Sequence, residues 1–478
     1  MKNDLRNVVI GAGPAGLSCA YELAKHKKDV FVLEKDSNIG GICRTLEHNG
    51  YRFDVGPHRF FTKSKEVDSL WKTLLEGDFS PVKRLTRIYF AGKFFFYPIQ
   101  ISDVIKNIGL SENVKIVFDY FYSQAYLRNK PKKSFEDWVV ANFGRRLYLM
   151  FFKTYTEKVW GISCSEISAE WAAQRIKNLS VWSILKNTLG LGDDVKSLTS
   201  EFSYPKYGAG QMYDKMREKA CEFGAEIKLN TSPKKIKIKD NRVYEIVDNN
   251  GNNISISSLI SSMPFSELFE LIDPVAPKDV VDASRRLKFR SLIEVCLVVQ
   301  CECTCSDQWI YIHEPSLKVG RVQIYKNWSE FMVPKGADSL GIGMEYFSFI
   351  GDQIWTMTDE DLVKFASDEL NRLGIFKDIL VKSGFVYRVP HAYPVYSGSY
   401  EKDMEILKEY LSKIENIQVI GRGGMFRYNN MDHSMLTGLY AARNIINTSK
   451  KIDLWSVNEE EHYHEEVTLK ENNTAHIV

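Results

Sequence analysis

The sequence predicts an α/β protein built around a dinucleotide-binding domain that other segments interrupt. Three observations predict this fold class: a short apolar strand precedes a glycine-rich turn, a run with helical apolar spacing follows it, and a second apolar strand ends in an acid. Together these elements form one complete strand–turn–helix–strand unit. In chain order they are a strand at 7–10, the turn at 11–16, a helix at 17–25, a strand at 30–33 and Glu34.

The turn has the spacing G-x-G-x-x-G, and each glycine has a separate task. Gly11 permits the tight turn, Gly13 lets the backbone approach a pyrophosphate at the helix N-terminus, and Gly16 allows the helix to pack closely on the strand. Glu34 ends the second strand, where a carboxylate can bind a ribose hydroxyl. An acid there also argues against a ribose 2′-phosphate, because the two negative charges would repel.

The composition limits the class of protein. The chain has 478 residues and a formal net charge of +2, from 63 Lys and Arg against 61 Asp and Glu. A length of this size allows about two to four domains. The hydrophobic fraction of 44% excludes global disorder. The small net charge argues against nucleic acid or an anionic membrane as the main partner.

Targeting segments and cysteines add little. No apolar run reaches the roughly 20 residues that cross a bilayer, and the first residues lack a signal-peptide core. We therefore expect a cytoplasmic protein without an integral membrane segment. Eight cysteines are too few for a disulfide scaffold. Cys301, Cys303 and Cys305 alternate after an apolar run, which predicts one face of a strand and buried thiols rather than a metal site.

The periodicity changes along the chain, which predicts a discontinuous domain with insertions. Residues 101–200 look helical, for example in the spacing of Val114, Phe118 and Phe121, whereas residues 281–379 alternate in short β-rich runs. The expected parts are the dinucleotide-binding domain at 1–80, 201–280 and 380–450, a β-rich substrate domain at 81–100 and 281–379, a helical domain at 101–200, and a flexible acidic tail at 457–478.

Further motifs around the first unit make the cofactor more specific. A glycine pair, an arginine and the string D-V-G-P-H at 54–58 put more backbone amides and a cation near a pyrophosphate. Together with G-R-G-G at 421–424, the string at 9–58 resembles the flavin amine oxidase and protoporphyrinogen oxidase superfamily. The resemblance implies a Rossmann-type domain that binds FAD. It also implies cofactor contacts at Gly41, Arg44, Gly56, Gly421, Arg422 and Met431.

Several segments resemble one branch of that superfamily, the UDP-galactopyranose mutases. They are spread from residue 9 to about residue 446, so the resemblance covers nearly the whole chain. The similar blocks are G-P-H-R-F-F-T at 56–62, F-F-Y-P-I at 95–99, Y-T-E-K-V-W-G at 155–161, M-E-Y at 344–346, Y-P-V at 393–395 and R-Y-N-N-M-D at 427–432.

The branch implies roles for single residues. Arg321 resembles an arginine that lies against the flavin and the substrate diphosphate, a group that a planar guanidinium binds well; the alternative is a surface arginine on a strand. His58 would lie beside the flavin ring; the alternative is a buried histidine with a backbone hydrogen bond. Asp432 completes the candidate catalytic set. The candidate substrate-binding residues are Trp160, Arg175, Tyr346, Tyr393 and Tyr428.

The sequence departs from the mutases at three places. Their second diphosphate-binding arginine falls in the run R-I-K-N-L at 175–179, whose final arginine is missing, so that Arg175 or Lys177 would have to substitute. Phe426 stands where the family has a tyrosine that could hold a phosphate, and Asn430 stands where it has an acid. Each change reduces the match to a UDP carrier, and none concerns the FAD segments.

Two reactions are therefore open. A mutase uses reduced FAD, whose N5 attacks the anomeric carbon of a nucleotide-diphosphate sugar, and the ring opens and closes on another hydroxyl without net redox change. An oxidase or dehydrogenase takes a hydride from its substrate and needs an apolar, aromatic pocket instead of a diphosphate clamp. A flavin-binding protein without catalysis is a third class. For either enzyme the partner is a small molecule, and the chain is compatible with a homo-oligomer.

Overall fold

A computed structural model of the chain describes residues 5–169, 201–302, 305–396 and 398–458, and two short strands at 196–198 and 466–468. The helices are α1 (Pro14–Lys25), α2 (Lys65–Leu75), α3 (Ile101–Asn107), α4 (Leu110–Tyr126), α5 (Phe135–Phe143), α6 (Arg145–Leu147), α7 (Thr154–Trp160), α8 (Gly210–Glu222), α9 (Phe265–Leu268), α10 (Lys278–Arg286), α11 (Gln353–Thr356), α12 (Asp359–Leu373), α13 (Tyr400–Ser412), α14 (Gly421–Gly424) and α15 (Met431–Ile446). A π-helical turn, Tyr148–Lys153, joins α6 to α7.

The strands form two large sheets and three two-stranded ribbons. They are β1 (Arg6–Ile10), β2 (Val30–Leu33), β3 (Thr45–His48), β4 (Tyr51–Asp54), β5 (Phe79–Lys83), β6 (Thr86–Phe90), β7 (Lys93–Phe96), β8 (Lys196–Leu198), β9 (Glu201–Pro205), β10 (Glu226–Lys228), β11 (Pro233–Lys239), β12 (Arg242–Asp248), β13 (Asn253–Ser261), β14 (Ile272–Asp273), β15 (Phe289–Glu302), β16 (Trp309–Ile312), β17 (Arg321–Ile324), β18 (Leu340–Ser348), β19 (Lys377–Pro394), β20 (Ile417–Val419) and β21 (Glu466–Thr468).

The first sheet is the core of the dinucleotide-binding part. Its strand order is β10-β2-β1-β13-β12-β11-β14, and β20 pairs with β13. β1 runs parallel to β2 and β13, with Val8 opposite Phe31 and Val9 opposite Val32, all four buried. Parallel strands with helices on both faces bury both of their faces, which is why β2 is apolar throughout.

Helix α1 follows the glycine turn after β1 and packs against a helix from the C-terminal part of the chain. Gly13 is its N-cap and Pro14 its first residue, a position where the missing N–H of proline costs nothing. α1 packs against α15, and a Cβ on Gly438 of α15 would overlap the carbonyl oxygen of Ala15 in α1. This contact holds the first turn of α15, which begins at Met431, beside the glycine turn.

The second sheet has the order β19-β15-β18-β17-β16-β6-β7. Its long strands β15, β18 and β19 are antiparallel. Helix α12 covers one face, where Leu362 and Leu370 pack in the same buried cluster as Ile293, Val295 and their neighbours. β19 is continuous through residue 380, so the predicted domain boundary at that residue falls inside a strand of this sheet.

The helical part begins at residue 101. Val114, Phe118 and Phe121 lie in α4, as their spacing predicts. Arg175 lies outside the described residues, together with the rest of the predicted helical stretch up to residue 195 and most of the acidic tail. Among the helices that the structure describes, none combines the length and apolarity needed to cross a bilayer.

The cysteine alternation does not form a single strand face. β15 ends at Glu302, and Cys305 lies beyond it, where its thiol donates to Asp307 Oδ2 at 2.8 Å. Asp307 also forms an ion pair with Arg87 of β6 at 2.6 Å. Cys301 is the one cysteine of the three within β15, and Cys303 lies outside the described residues.

Candidate functional site

A large cavity lies between the carboxyl ends of β1 and β2 and the second sheet. Its volume is about 1880 Å³, above the roughly 300–1,000 Å³ usual for one small ligand, so it has room for a dinucleotide and a second molecule. The predicted site residues that border it are Gly11, Gly13, Glu34, Gly41, Arg44, Gly56, His58, Arg321, Tyr393, Gly421, Arg422, Tyr428, Met431 and Asp432.

The glycine turn forms one end of the cavity. Gly11 has a φ of 94°, a left-handed conformation that favours glycine. A Cβ on Gly16 would overlap the carbonyl oxygen of Gly11, so only glycine lets α1 start this close to β1. Glu34 is buried, and its two oxygens accept the N–H groups of Ala12 at 2.7 Å and Asp36 at 2.9 Å. Each oxygen keeps a lone pair for a hydroxyl that enters the cavity.

The second glycine pair packs directly on the first turn. A Cβ on Gly41 would lie 3.2 Å from the Cα of Gly13. Arg44 donates to the Gly41 carbonyl at 2.7 Å and forms an ion pair with Asp36 at 2.8 Å, while its guanidinium faces the ring of Tyr387. A buried cation is therefore fixed beside the turn, where a pyrophosphate would lie.

The late glycine segment and the start of α15 form the adjoining wall, where a Cβ on Gly421 would lie 2.9 Å from the Cβ of Ala15. Gly421 has a φ of 72°, and its N–H donates to Thr437 Oγ1 at 3.0 Å. Asp432 is buried in the first turn of α15, where its Oδ2 accepts from Thr62 Oγ1 at 2.9 Å. Because the first N–H groups of a helix lack partners within it, the helix start at Met431 favours an electron-rich oxygen in the cavity.

Arg321 extends from β17 into the cavity and is held by an ion pair with Glu345 of β18. Its Nε donates to Glu345 Oε2 at 2.8 Å, its Nη2 donates to the same oxygen, and Gln323 donates to Oε1 at 2.6 Å. Nη2 also donates to Tyr393 Oη at 3.0 Å. Glu345 is fully buried, and a Cβ on Gly56 would lie 3.8 Å from its Oε2. Gly56 thus lies between this carboxylate and the cavity.

Two tyrosines and a second arginine lie next to this ion pair. The rings of Tyr393 and Tyr428 are stacked, with centres 5.7 Å apart. The Cζ of Arg422 is 5.4 Å from the first ring centre and 4.7 Å from the second, and two backbone carbonyls orient its guanidinium. Trp160 packs behind Tyr428 at 6.4 Å between ring centres, buried outside the cavity lining. Its position is that of a support rather than of a substrate contact.

His58 borders the cavity with both ring nitrogens engaged. Its Nε2 donates to the Val55 carbonyl at 2.8 Å, and Nδ1 lies 3.6 Å from Cys43 Sγ. Loss of hydration lowers the pKa of His58 to about 4, and the charges of Arg422 and Arg321 act in the same direction. His58 is thus a half-buried histidine on the cavity wall, with the backbone hydrogen bond of the structural alternative.

Tyr346 does not reach the cavity, which corrects its predicted role in binding substrate. Side chains alternate along a strand, and on β18 Met344 and Tyr346 point toward the cluster beneath α12, with Tyr346 fully buried. Glu345, between them, points to the opposite face and meets Arg321. The motif M-E-Y therefore marks the site by its acid and not by its aromatic ring.

A second buried acid, Glu294, lies beside Glu345 and was not predicted. The two are directly opposite on β15 and β18, and Arg321 is opposite Glu345 on the other side. The Tyr325 hydroxyl lies 2.5 Å from the Asp54 carbonyl and 3.1 Å from Glu294 Oε1, so its one proton can go to the carbonyl while its oxygen accepts a hydrogen bond from a protonated Glu294. Burial, and then the charge of Glu345, raise the pKa of Glu294 well above its usual value. We assign the negative charge to Glu345, which has the cationic partner, and a proton to Glu294.

A sequence signal for Glu294 exists in the strand that faces it. β18 carries Gly341 and Gly343 at alternate positions, and glycine within a strand often marks the close approach of another group. A Cβ on Gly343 would overlap Glu294 Oε1 and lie 2.7 Å from Tyr325 Oη. The glycines therefore make room for the buried acid and its tyrosine.

Replacing Glu294 by glutamine is expected to stabilise the protein relative to the wild type at alkaline pH. An acid with a raised folded pKa holds a proton that the unfolded chain releases, so stability is lost as pH rises through the window between the two pKa values. Glutamine removes this loss and can still donate to Tyr325. Urea unfolding at about pH 5 and about pH 8 measures the effect, since the difference between the two proteins should grow with pH.

Asp54 provides an internal reference for that experiment. Burial raises its pKa to about 6, although Thr45, Tyr204 and the Ala209 N–H donate to it. Stability from Asp54 is lost as pH rises through about 6 in both proteins, and this common loss largely cancels from their difference, although the charge of Asp54 also raises the pKa of Glu294. Equal pH dependence of the wild type and Glu294→Gln would contradict the protonated state of Glu294.

Comparison with known proteins agrees with this geometry. Residues 9–74 match the NAD(P)-binding Rossmann-like domain family. A 1-hydroxycarotenoid 3,4-desaturase from a Flavobacterium species is 38% identical over 85 residues, which are 17% of this chain and 17% of the desaturase. A probable UDP-galactopyranose mutase from Klebsiella pneumoniae is 25% identical over 177 residues, 35% of this chain and 44% of the mutase. The matched segments thus span less than half of these curated relatives.

Solved structures match over nearly the full chain. The crystal structure of a reduced UDP-galactopyranose mutase has a TM-score of 0.82 at 22% identity and covers 95% of this chain and 98% of its own. A putative protoporphyrinogen oxidase from an Exiguobacterium species has a TM-score of 0.71 at 15% identity, with 93% and 98% covered. The predicted resemblance is confirmed at the level of the fold, which the chain shares with a UDP-galactopyranose mutase and, at a lower TM-score, with a putative protoporphyrinogen oxidase.

Proposed function

We propose that the chain is an FAD-dependent enzyme that rearranges the ring of a nucleotide-diphosphate sugar without net oxidation. The observation that carries this proposal is that Arg321 and Arg422 both contact the stacked pair Tyr393 and Tyr428 in one cavity. Guanidinium groups bind diphosphate oxygens in a planar, two-point manner, and phenol hydroxyls add neutral donors. The set suits a diphosphate better than it suits an apolar substrate.

The rest of the cavity fits FAD. Glu34 would bind the ribose hydroxyls, the glycine turn and the N-terminus of α1 would bind the pyrophosphate with Arg44 beside it, and the flavin ring would lie near Gly56 and Met431. When bound and reduced, FAD supplies a nucleophilic N5 that can attack an anomeric carbon. The volume that remains holds the sugar nucleotide.

The side chains of the cavity would bind the diphosphate after it leaves the sugar. Glu345 keeps Arg321 oriented, so little rearrangement is needed when negative charge develops on the leaving group. Tyr393 Oη accepts from Arg321, which leaves its own proton free to point toward a phosphate oxygen. Arg422 adds a second positive charge on the other side of the tyrosine rings. His58 is neutral at pH 7 and adds none.

A hydride-transferring oxidase or dehydrogenase is the second candidate, favoured by the aromatic wall. Tyr311, Tyr387, Tyr396 and Phe426 all border the cavity, and such rings suit an apolar substrate. The similarity to the carotenoid desaturase adds no support, because its matched segment covers only 17% of the chain. Hydride transfer from an apolar substrate does not call for an arginine at the cavity wall, whereas binding of a diphosphate does.

One experiment separates the two candidates. The purified protein with its flavin is mixed with a UDP-hexopyranose under anaerobic conditions, with and without dithionite, and the nucleotide sugars are separated by chromatography. We expect an isomeric UDP-sugar of unchanged mass only after reduction. Bleaching of the oxidised flavin by substrate alone, with an oxidised product, would instead establish the dehydrogenase. If several nucleotide sugars give neither an isomeric product nor flavin bleaching, the proposal is contradicted.

Replacing Glu34 by alanine is expected to weaken FAD binding by about tenfold, because a hydrogen bond to a charged acceptor is lost. Glu226→Ala on the neighbouring strand β10 is the control, since Glu226 pairs at the surface with Arg6. Flavin fluorescence during titration of the apoprotein measures both affinities. Wild-type affinity in Glu34→Ala would remove this residue from the cofactor site.

A further inference from the structure

Helix α4 presents an apolar stripe to solvent. Over its 17 residues, Leu110, Val114, Val117, Phe118 and Phe121 recur at intervals of three and four, which places them on one face. Leu110 is 82% exposed, Phe118 73% and Phe121 64%. A contiguous exposed apolar surface of this kind marks an interaction site rather than ordinary scatter of surface residues.

The opposite face of α4 is already packed. Ser123 is buried, and Ile116 and Leu127 pack against internal clusters. Asp119 accepts the backbone N–H of Arg146 at 2.7 Å, which ties the helix to α6. The helix is thus fixed to the protein with its stripe outward.

A basic run follows the stripe directly. Arg128, Lys130, Lys132 and Lys133 come within residues 128–133, which include no acid. Arg128 donates to Gln124 Oε1 at 3.5 Å and Lys132 to the Arg128 carbonyl at 2.8 Å, while the charge of Lys133 acts on Asp137 and lowers its pKa. Four cations thus stand close together in this run, although the net charge of the whole chain is only +2.

We propose that this α4 surface, the apolar stripe with the basic run at 128–133, binds the surface of an anionic lipid bilayer. The stripe would enter the boundary between headgroups and acyl chains, as the apolar face of an interfacial helix does. The basic run would meet the lipid phosphates, with about 1 kcal/mol expected per cation near such a surface. Tyr122 and Tyr126, both exposed at the end of α4, have the apolar body and polar tip that suit this depth.

A second copy of the chain fits the same surface less well. A parallel pairing of two α4 helices would bring the two basic runs together, and like charges repel. An antiparallel pairing would leave both runs without counter-charges. An anionic bilayer satisfies the apolar stripe and the cations at once, so charge complementarity selects it. The proposal goes beyond the proposed reaction and does not depend on it.

Sedimentation with lipid vesicles tests the proposal. The full-length protein is mixed with vesicles of phosphatidylcholine containing phosphatidylglycerol, and with vesicles of phosphatidylcholine alone. We expect binding to the anionic vesicles that falls as salt rises. The double variants Phe118→Ser/Phe121→Ser and Lys130→Glu/Lys132→Glu should each bind at least about tenfold more weakly. Val275→Ser, at an apolar side chain that is equally exposed elsewhere, is the control and should bind as the wild type does.

Every outcome of the sedimentation experiment either supports or overturns the membrane-binding proposal. Phe118, Phe121 and Lys130 are exposed, and Lys132 is half-buried with its ammonium on the Arg128 carbonyl. The variants should therefore keep their fold, which circular dichroism and flavin content check. A wild type that stays in the supernatant with anionic vesicles would overturn the proposal, as would full binding by Phe118→Ser/Phe121→Ser. A concentration-dependent dimer that this variant dissociates, without any vesicle binding, would assign the surface to a second copy and overturn it too.

Discussion

Replacing Arg321 by alanine is expected to lower kcat by about a hundredfold or more while FAD remains bound. Arg321 is the cation that contacts both the buried Glu345 and the hydroxyl of Tyr393 at the cavity wall. Removal of one preorganised donor to a developing anion typically costs about 10²–10³ in kcat. No predicted contact with the glycine turn or with Glu34 is lost, so flavin content should not change. Steady-state kinetics and the flavin absorbance of the same preparation measure the two effects.

The alanine variant also leaves Glu345 buried without its partner. Breaking a buried ion pair in this way costs about 3–5 kcal/mol of stability, so a loss of activity could follow from loss of fold. Arg321→Lys keeps a positive charge near Glu345 but loses the planar, two-point geometry, and it should fold while losing most of the activity. Arg87→Ala is the matched control, because Arg87 pairs with the buried Asp307 in the same sheet and does not border the cavity.

Three results together carry the assignment. Arg321→Lys should have a low turnover rate and a normal flavin content. Arg87→Ala should be destabilised but keep the wild-type activity per folded molecule. The double variant Arg321→Ala/Glu345→Gln should regain stability without regaining activity. If Arg321→Lys turns over substrate at the wild-type rate with unchanged KM, the guanidinium has no part in binding the diphosphate. In that event Arg422 becomes a candidate for that role, together with Arg175 and Lys177, which lie outside the described residues.

The nucleotide-binding end could be predicted because its signals are local. Strand, turn, helix and strand are adjacent in the chain between residues 6 and 33, and the glycine spacing itself reports how closely α1 packs on β1. The acid at Glu34 is likewise fixed by its place at the end of β2. The structure describes each of these elements at its predicted place. Local pattern was sufficient because tertiary contacts do not compete with it there.

The substrate end could be predicted only in part, because it depends on the register between distant strands. Arg321 and Glu345 are paired across β17 and β18, and Glu294 joins them from β15. A shift of one residue moves a side chain to the other face of a strand, so the resemblance of the M-E-Y block does not by itself tell which of Glu345 and Tyr346 faces the cavity. The sequence signal for this ion-pair site is an acid within an otherwise apolar strand, as at Glu294 and Glu345, since a buried carboxyl group needs a hydrogen-bond or charge partner.

His58 illustrates a different limit. The string around it indicates a place near the cofactor, and the structure does put it on the cavity wall. Its role depends on what its two nitrogens contact, and those partners, the Val55 carbonyl and Cys43, are set by the fold of the loop. Gly438 could not be predicted for a similar reason. Its close contact is with Ala15 and Cys19 in α1, more than 400 residues earlier in the chain.

Replacing Gly438 by alanine is expected to destabilise the protein by about 2 kcal/mol or more and to lower its flavin content. A Cβ at this position would overlap the carbonyl oxygen of Ala15 and lie 3.0 Å from the backbone nitrogen of Cys19. Backbone atoms in α1 cannot rotate away as a side chain can, so α1 and α15 must separate, and overpacking typically costs about 1–3 kcal/mol. Thermal unfolding of the apoprotein and the flavin-to-protein absorbance ratio measure the two effects.

The sign of this change distinguishes packing from helix propensity. Within a helix, alanine is intrinsically about 1 kcal/mol more favourable than glycine, so any net loss in Gly438→Ala must come from the contact with α1. Gly109→Ala is the control: Gly109 precedes α4, has a negative φ and has open space where the Cβ would lie, so its cost should stay below about 1 kcal/mol. The separation of α1 from α15 would move the helix start at Met431 away from the glycine turn, which is why flavin content should fall with stability. Equal unfolding temperatures for Gly438→Ala and the wild type would contradict the prediction, because they would show that α1 and α15 can accommodate a Cβ at this position.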